Sequence, residues 1–70
     1  MSRQKIGAII QQRREFLSLK QEDVAEMGNV TPKTIYLVER GKGNPSIETL
    51  QKILNVLGLE ILIQIKQTDK

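Results

Sequence analysis

The sequence predicts a mainly α-helical domain of four helices, closed by one C-terminal β-strand. Three observations lead there. Apolar residues recur at spacings of three and four from Ile6 to Leu57. Helix openers (Thr31-Pro32, Ser46) and helix terminators (Gly41, Gly58) punctuate that stretch. From Leu59 onward the period drops to two, with Leu59, Ile61, Ile63 and Ile65 alternating with Glu60, Leu62, Gln64 and Lys66.

The first helix is expected over Ser2 to Leu17, with Ile6, Ile9, Ile10, Phe16 and Leu17 on its apolar stripe beside Arg13. Arg3, Lys5 and Arg14 make it basic. After the connector Ser18-Leu19, a second helix runs from Gln21 to Met27, with Val24 and Met27 inward and Ala25 small enough for close contact. Glu22 and Asp23 in its first turn suit the positive end of the helix dipole. Thr31 caps the third helix, Pro32 takes its first position, and Val30 and Ile35 are spaced as a hydrophobic staple. Arg40 ends it before Gly41. A loop, Lys42 to Pro45, leads to Ser46, which caps a fourth helix carrying Ile47, Leu50, Ile53, Leu54 and Leu57 up to Gly58. The chain thus divides into a helical domain (1–58), a strand (59–67) and a tail (68–70).

Composition narrows the function. Seventy residues make one domain whose core supplies only about 3–5 kcal/mol, so a second copy or another partner is expected to help. With no cysteine and no histidine, disulfides, zinc sites and imidazole-based catalysis are excluded, and no activated nucleophile is in view. An enzyme is not expected, nor any cofactor or metal. The net charge of +3 and pI near 9.5 suit a polyanionic partner. No apolar run reaches the roughly 18 residues of a membrane span, and Ile6 to Ile10 is too short for a signal peptide. A cytoplasmic protein without membrane contact is expected. Asn29-Val30-Thr31 matches a glycosylation sequon, read as coincidence without an export signal.

Helices Gln21–Met27 and Pro32–Arg40, joined by a tight turn, form a helix-turn-helix unit. With Ile35 and Val38 inward, Pro32, Lys33, Tyr36, Leu37 and Arg40 project outward. A helix in the DNA major groove reads base edges near its N-terminal end. Lys33 can donate to guanine O6 or N7, and Leu37 can touch a thymine methyl or pack on the neighbouring loop. Thr31, Thr34 and the first-turn N–H groups can hold phosphate. The bland alternative is a solvated basic face.

Gln21-Glu22-Asp23-Val24-Ala25-Glu26, Val30-Thr31, Thr34-Ile35 and Glu39-Arg40-Gly41-Lys42 together resemble the Cro/C1-type (XRE) helix-turn-helix family. Asn44-Pro45-Ser46-Ile47-Glu48-Thr49-Leu50 and Leu57-Gly58-Leu59 continue the resemblance, which spans about residues 6 to 59. It implies a lambda-repressor-like fold and a dimer that binds an operator in double-stranded DNA and represses transcription. By the same resemblance Pro32, Lys33, Tyr36 and Leu37 face the bases. Gln21, Thr31, Thr34, Arg40, Lys42, Gly43 and Asn44 lie at the phosphates, and Gln21 also braces the third helix; Lys20, outside the family pattern, can reach a phosphate in place of a cap. Arg14 and Glu39 match a pair that joins the first and third helices. The sequence departs from the family at three places. Asn29 stands where the turn usually has glycine, Lys20 replaces a Ser or Thr cap at a cost of about 0.5–2 kcal/mol, and Pro32 offers only van der Waals contact to a base.

A lone strand leaves its backbone groups unpaired, and the simplest partner is the same strand of a second copy, antiparallel across a twofold axis. Its odd-numbered face would cover the helices, with Leu62 on the other side. Leu59, Ile61, Leu62, Ile63 and Ile65 are the expected dimerisation residues; the alternatives are an extension of the last helix or an unpaired arm. Gly58-Leu59-Glu60-Ile61-Leu62-Ile63 is similar to the HipB-type subgroup, whose members often act as antitoxins of a HipA-like kinase. That resemblance adds such a toxin to the candidate partners, and an adaptor that chiefly binds protein is the rival reading.

Overall fold

The computed structural model describes residues 2–66, and the tail 68–70 and the end of the expected strand at Gln67 lie outside them. Four helices are present: α1 (Arg3–Phe16), α2 (Gln21–Gly28), α3 (Pro32–Glu39) and α4 (Ile47–Val56). Their starts follow the capping residues. Ser2, Thr31 and Ser46 each accept a backbone N–H from the residue three positions on. Lys20 cannot do this, since its ammonium has no lone pair. Asp23 instead reaches back to accept the Lys20 backbone N–H at 2.8 Å, which supplies the reciprocal half of a capping box.

All four helices stop by one device. Ser18, Asn29, Gly41 and Gly58 adopt left-handed backbone angles (φ 57° to 72°). The N–H of the next residue then bonds back to the carbonyl five positions earlier: Leu19 to Arg14, Val30 to Ala25, Lys42 to Leu37 and Leu59 to Leu54. Leu19, Val30 and Leu59 use that turn to pack on the core. Asn29 thus does the work expected of a glycine; Ser18, placed only in a connector by the sequence, is a fourth instance.

The core comprises Ile10, Val24, Ala25, Ile35, Val38, Ile53, Leu54 and Leu57. Several residues expected inside are not there. In α2 the inner face is Val24, Ala25 and Gly28, which lie within about 100° of one another around the axis, and Met27 falls outside that arc at 56% exposure. Gly28 faces α4, where a Cβ would stand at ordinary contact distance, 3.4 Å, from the Lys52 carbonyl oxygen. Ile47 is exposed at the first turn of α4, and Phe16 and Leu17 are exposed where α1 ends. Ile9 is at the edge of the inner face. Gly7, unremarked in the sequence, is buried where α1 crosses the end of α3, and a Cβ there would overlap the carbonyl oxygens of Val38 and Glu39.

The expected C-terminal strand is not present among the described residues. Residues 59–66 carry no regular secondary structure, for a ladder needs a partner strand and the described part of the chain offers none. The expectation that the odd-numbered face covers the helices holds only at its start. Leu59 packs against the core, and Leu59, Ile61 and Leu62 line a groove of about 290 Å³ with Ile6, Ile9, Ile10 and Leu54. Ile63 and Ile65 lie beyond that groove, 94% and 95% exposed.

Candidate nucleic-acid interface

The orientation of α3 follows from which of its residues the core takes. Ile35, Val38 and Glu39 are buried and Thr34 is half-buried, while Pro32, Lys33, Tyr36 and Arg40 are exposed and Leu37 is half-buried. Those last five occupy an arc of about 140° around the helix. Leu37 sits at its margin against Gly43 of the α3–α4 loop, so packing on the loop, one of the two roles open to it, is realised. Tyr36 is 46% exposed, and the Arg40 guanidinium lies 5.1 Å from the centre of its ring, a cation–π contact between residues one helical turn apart.

A buried polar network fixes α3 from behind. The Arg14 Nε donates to Glu39 Oε2 at 2.5 Å and its Nη2 to Oε1 at 3.0 Å. The Gln21 amide donates to the same Oε1 at 3.0 Å, and Arg14 Nη1 donates to the Leu19 carbonyl at 2.8 Å. Three helices therefore meet at one carboxylate. The hydrogen bond to Glu39 is the main cause that raises the Arg14 pKa above its ordinary value, against the lowering by burial. Gln21 thus braces α3, as the resemblance implies, and one amide hydrogen remains for another acceptor.

The remaining sequence-predicted residues flank the exposed arc. At the N-terminus of α3 the Thr31 hydroxyl accepts the Thr34 N–H at 3.2 Å, and the two hydroxyls share a further bond at 2.9 Å. One of the two hydroxyl protons is therefore used internally and one is left for an outside acceptor. Lys20 is exposed at the start of α2, and Lys42, Gly43 and Asn44 are exposed in the loop after α3. Thr34, Leu37, Lys42, Gly43, Asn44, Ser46 and Thr49 line a concavity of about 320 Å³ between α3 and the start of α4.

Sequence reasoning missed Arg3. From the first turn of α1 its Nη1 donates to the Gly43 carbonyl at 3.1 Å and its Nη2 to Asn44 Oδ1 at 3.3 Å. Forty residues separate the partners, and no local pattern signals such a contact. Arg13, read as part of the stripe of α1, donates from Nε to the Leu57 carbonyl at 2.8 Å, joining α1 to the end of α4. Among the described residues no cluster of His, Cys, Asp or Glu could hold a metal, and no helix is long and apolar enough to cross a membrane.

Known proteins share this arrangement. A family model described as helix-turn-helix matches residues 10–63. A regulatory protein of Methanococcus maripaludis, named as HTH-type and transcriptional, is 35% identical over 63 residues, 90% of this chain. This chain spans only 19% of that relative's length. A regulator of Methanothermobacter thermautotrophicus, also named as HTH-type and transcriptional, is 38% identical over 52 residues, covering 74% of this chain and 75% of its own. Among solved structures, the restriction-modification controller protein C.AhdI from Aeromonas hydrophila superposes with a TM-score of 0.78 at 28% identity, over 83% of this chain and 88% of that one. The chain belongs to the Cro/C1-type (XRE) helix-turn-helix family of DNA-binding transcriptional regulators.

Proposed function

We propose that this chain is a homodimeric repressor that reads a palindromic operator in the major groove with α3. The observation that carries the reading is the exposed arc of α3, rigidly backed by the Arg14–Glu39–Gln21 network. Lys33, at the second position of the helix, is the side chain best suited to a guanine edge. Tyr36 and Pro32 offer apolar surface to a thymine methyl, with Leu37 at the margin. Gln21, Thr31, Thr34, Lys20, Arg40, Lys42 and the Gly43–Asn44 backbone surround that face with donors for phosphate.

Dimerisation is supported by the C-terminal segment. Leu62, Ile63 and Ile65 are 70%, 94% and 95% exposed, and contiguous apolar surface of this kind marks an interaction site. Pairing residues 59–66 with the same segment of a second copy, antiparallel about a twofold axis, would satisfy the open backbone groups and cover these side chains. It would also present two α3 helices for major grooves about 34–36 Å apart. Repression would follow from occlusion of the promoter.

Selection from a pool of random duplexes tests the reading. The protein should enrich a palindromic motif, and Lys33→Ala should relax the choice at one base pair in each half-site. A protein that enriches no motif is an adaptor for a protein partner, such as a HipA-like toxin, and the operator reading fails.

A further inference from the structure

The Arg3 guanidinium rests on two neutral oxygens of the α3–α4 loop, the Gly43 carbonyl and the Asn44 side chain. Arginine carries five N–H donors, and these bonds use two. Among the described residues the only ion pair joins Arg14 and Glu39, so the charge of Arg3 has no carboxylate partner there. Its position is well defined. The α1 first turn lies directly on the loop, where a Cβ on Gly41 would stand 2.9 Å from the Gln4 Cα. Arg3 lines a small cavity with Ile6, Val38, Gly41, Lys42, Pro45 and Leu50, and its two guanidinium hydrogen bonds to the loop are exposed.

We infer that Arg3 is a DNA-phosphate contact, seated by the loop at the edge of the α3 face and extending the footprint of each subunit onto the adjoining backbone. The inference rests on the operator reading above. A cation already held by two hydrogen bonds loses little side-chain freedom when an anion arrives, and its three remaining N–H groups suit the geometry of a phosphate. Lys42 lines the same cavity, so two cations far apart in the sequence flank one stretch of loop.

The salt dependence of binding tests this directly. Affinity for the selected duplex is measured against salt for the wild-type protein and for Arg3→Gln, Arg3→Lys and Arg40→Gln. Each lost phosphate contact lowers the slope of log K against log salt by about 0.9, or about 2 for the two subunits of a dimer. Arg3→Gln keeps an amide to bond the loop and should lose that slope, whereas Arg3→Lys should retain it. An Arg3→Gln slope equal to the wild-type slope overturns the inference, whether affinity is unchanged or falls uniformly as it would for a merely structural residue. The Arg40→Gln control separates the two levels. A lowered slope there with none lost at position 3 sinks only the Arg3 assignment, while wild-type protein that binds no duplex sinks the operator reading as well.

Discussion

Arg14 grips Glu39 through two nitrogens, at 2.5 Å and 3.0 Å, with side chains only 12% and 3% exposed. The pair joins the C-terminal half of α1 to the last turn of α3, and so sets the direction in which the exposed face of α3 points. Removing one member of such a buried pair strands the other charge and costs about 3–5 kcal/mol, close to the whole stability available to a core of this size. Glu39→Leu should therefore unfold most of the protein at room temperature in a urea titration. The double change Arg14→Met with Glu39→Leu should be more stable than Glu39→Leu alone, because no charge is left behind.

Gly7 makes a second close approach between the same two helices. Alanine at an ordinary helix position would gain about 1 kcal/mol over glycine. Here a Cβ would overlap the Val38 and Glu39 carbonyl oxygens, and overpacking of this kind costs about 1–3 kcal/mol or more. Gly7→Ala should lower the melting temperature by several degrees. A rise would show that the two helices do not meet closely at that point.

The cation–π contact between Tyr36 and Arg40 has a consequence for binding. An exposed pair of this type contributes about 0.5–1 kcal/mol, equivalent to roughly two- to fivefold in affinity if it holds Arg40 ready for phosphate. Tyr36→Phe keeps the ring and should bind the selected duplex as the wild type does, whereas Tyr36→Leu should lose that factor. In an Arg40→Gln background the same Tyr36→Leu change should cost less, since only the contact of Tyr36 with the bases is then at stake. Equal losses in both backgrounds would mean that the cation–π contact contributes nothing to binding.

The exposed C-terminal segment supplies the test of assembly. Ile63→Asp places a charge in the proposed interstrand contact and leaves the helical core untouched, since Ile63 is 94% exposed in the single chain. Sedimentation should show a dimer for the wild type and a monomer for the variant at micromolar concentration. An intact variant dimer would remove the strand pairing from the account.

The helical half of this architecture could be read from local chemistry, because Thr31, Pro32, Ser46, Gly41 and Gly58 act on their own neighbours. The outward set on α3 could be read as well, since two core residues, Ile35 and Val38, orient the rest by period alone. Contacts between distant segments could not. Nothing in the spacing of Arg3 and Gly43, or of Gly7 and Val38, announces that they touch, and the Arg14–Glu39 pair was visible only through family resemblance. Periodicity also overfilled the core. Met27 and Ile47 have plausible spacing, but short helices at the surface expose most of their circumference and only the residues nearest the neighbouring axis are covered. The strand pattern of Leu59 to Ile65 reports alternation, and a ladder also needs a partner that a single sequence does not supply.

The central claim is that the exposed arc of α3, with the loop behind it, is the surface that meets DNA. Titrating isotope-labelled protein with its selected duplex and following the backbone amide resonances tests it most directly. The account predicts that the largest shifts fall at Thr31 to Tyr36 and at Arg40 to Asn44, with Leu59 to Ile65 little changed. Shifts confined to Ile9 and the C-terminal segment, with the amides of α3 unmoved, would contradict it.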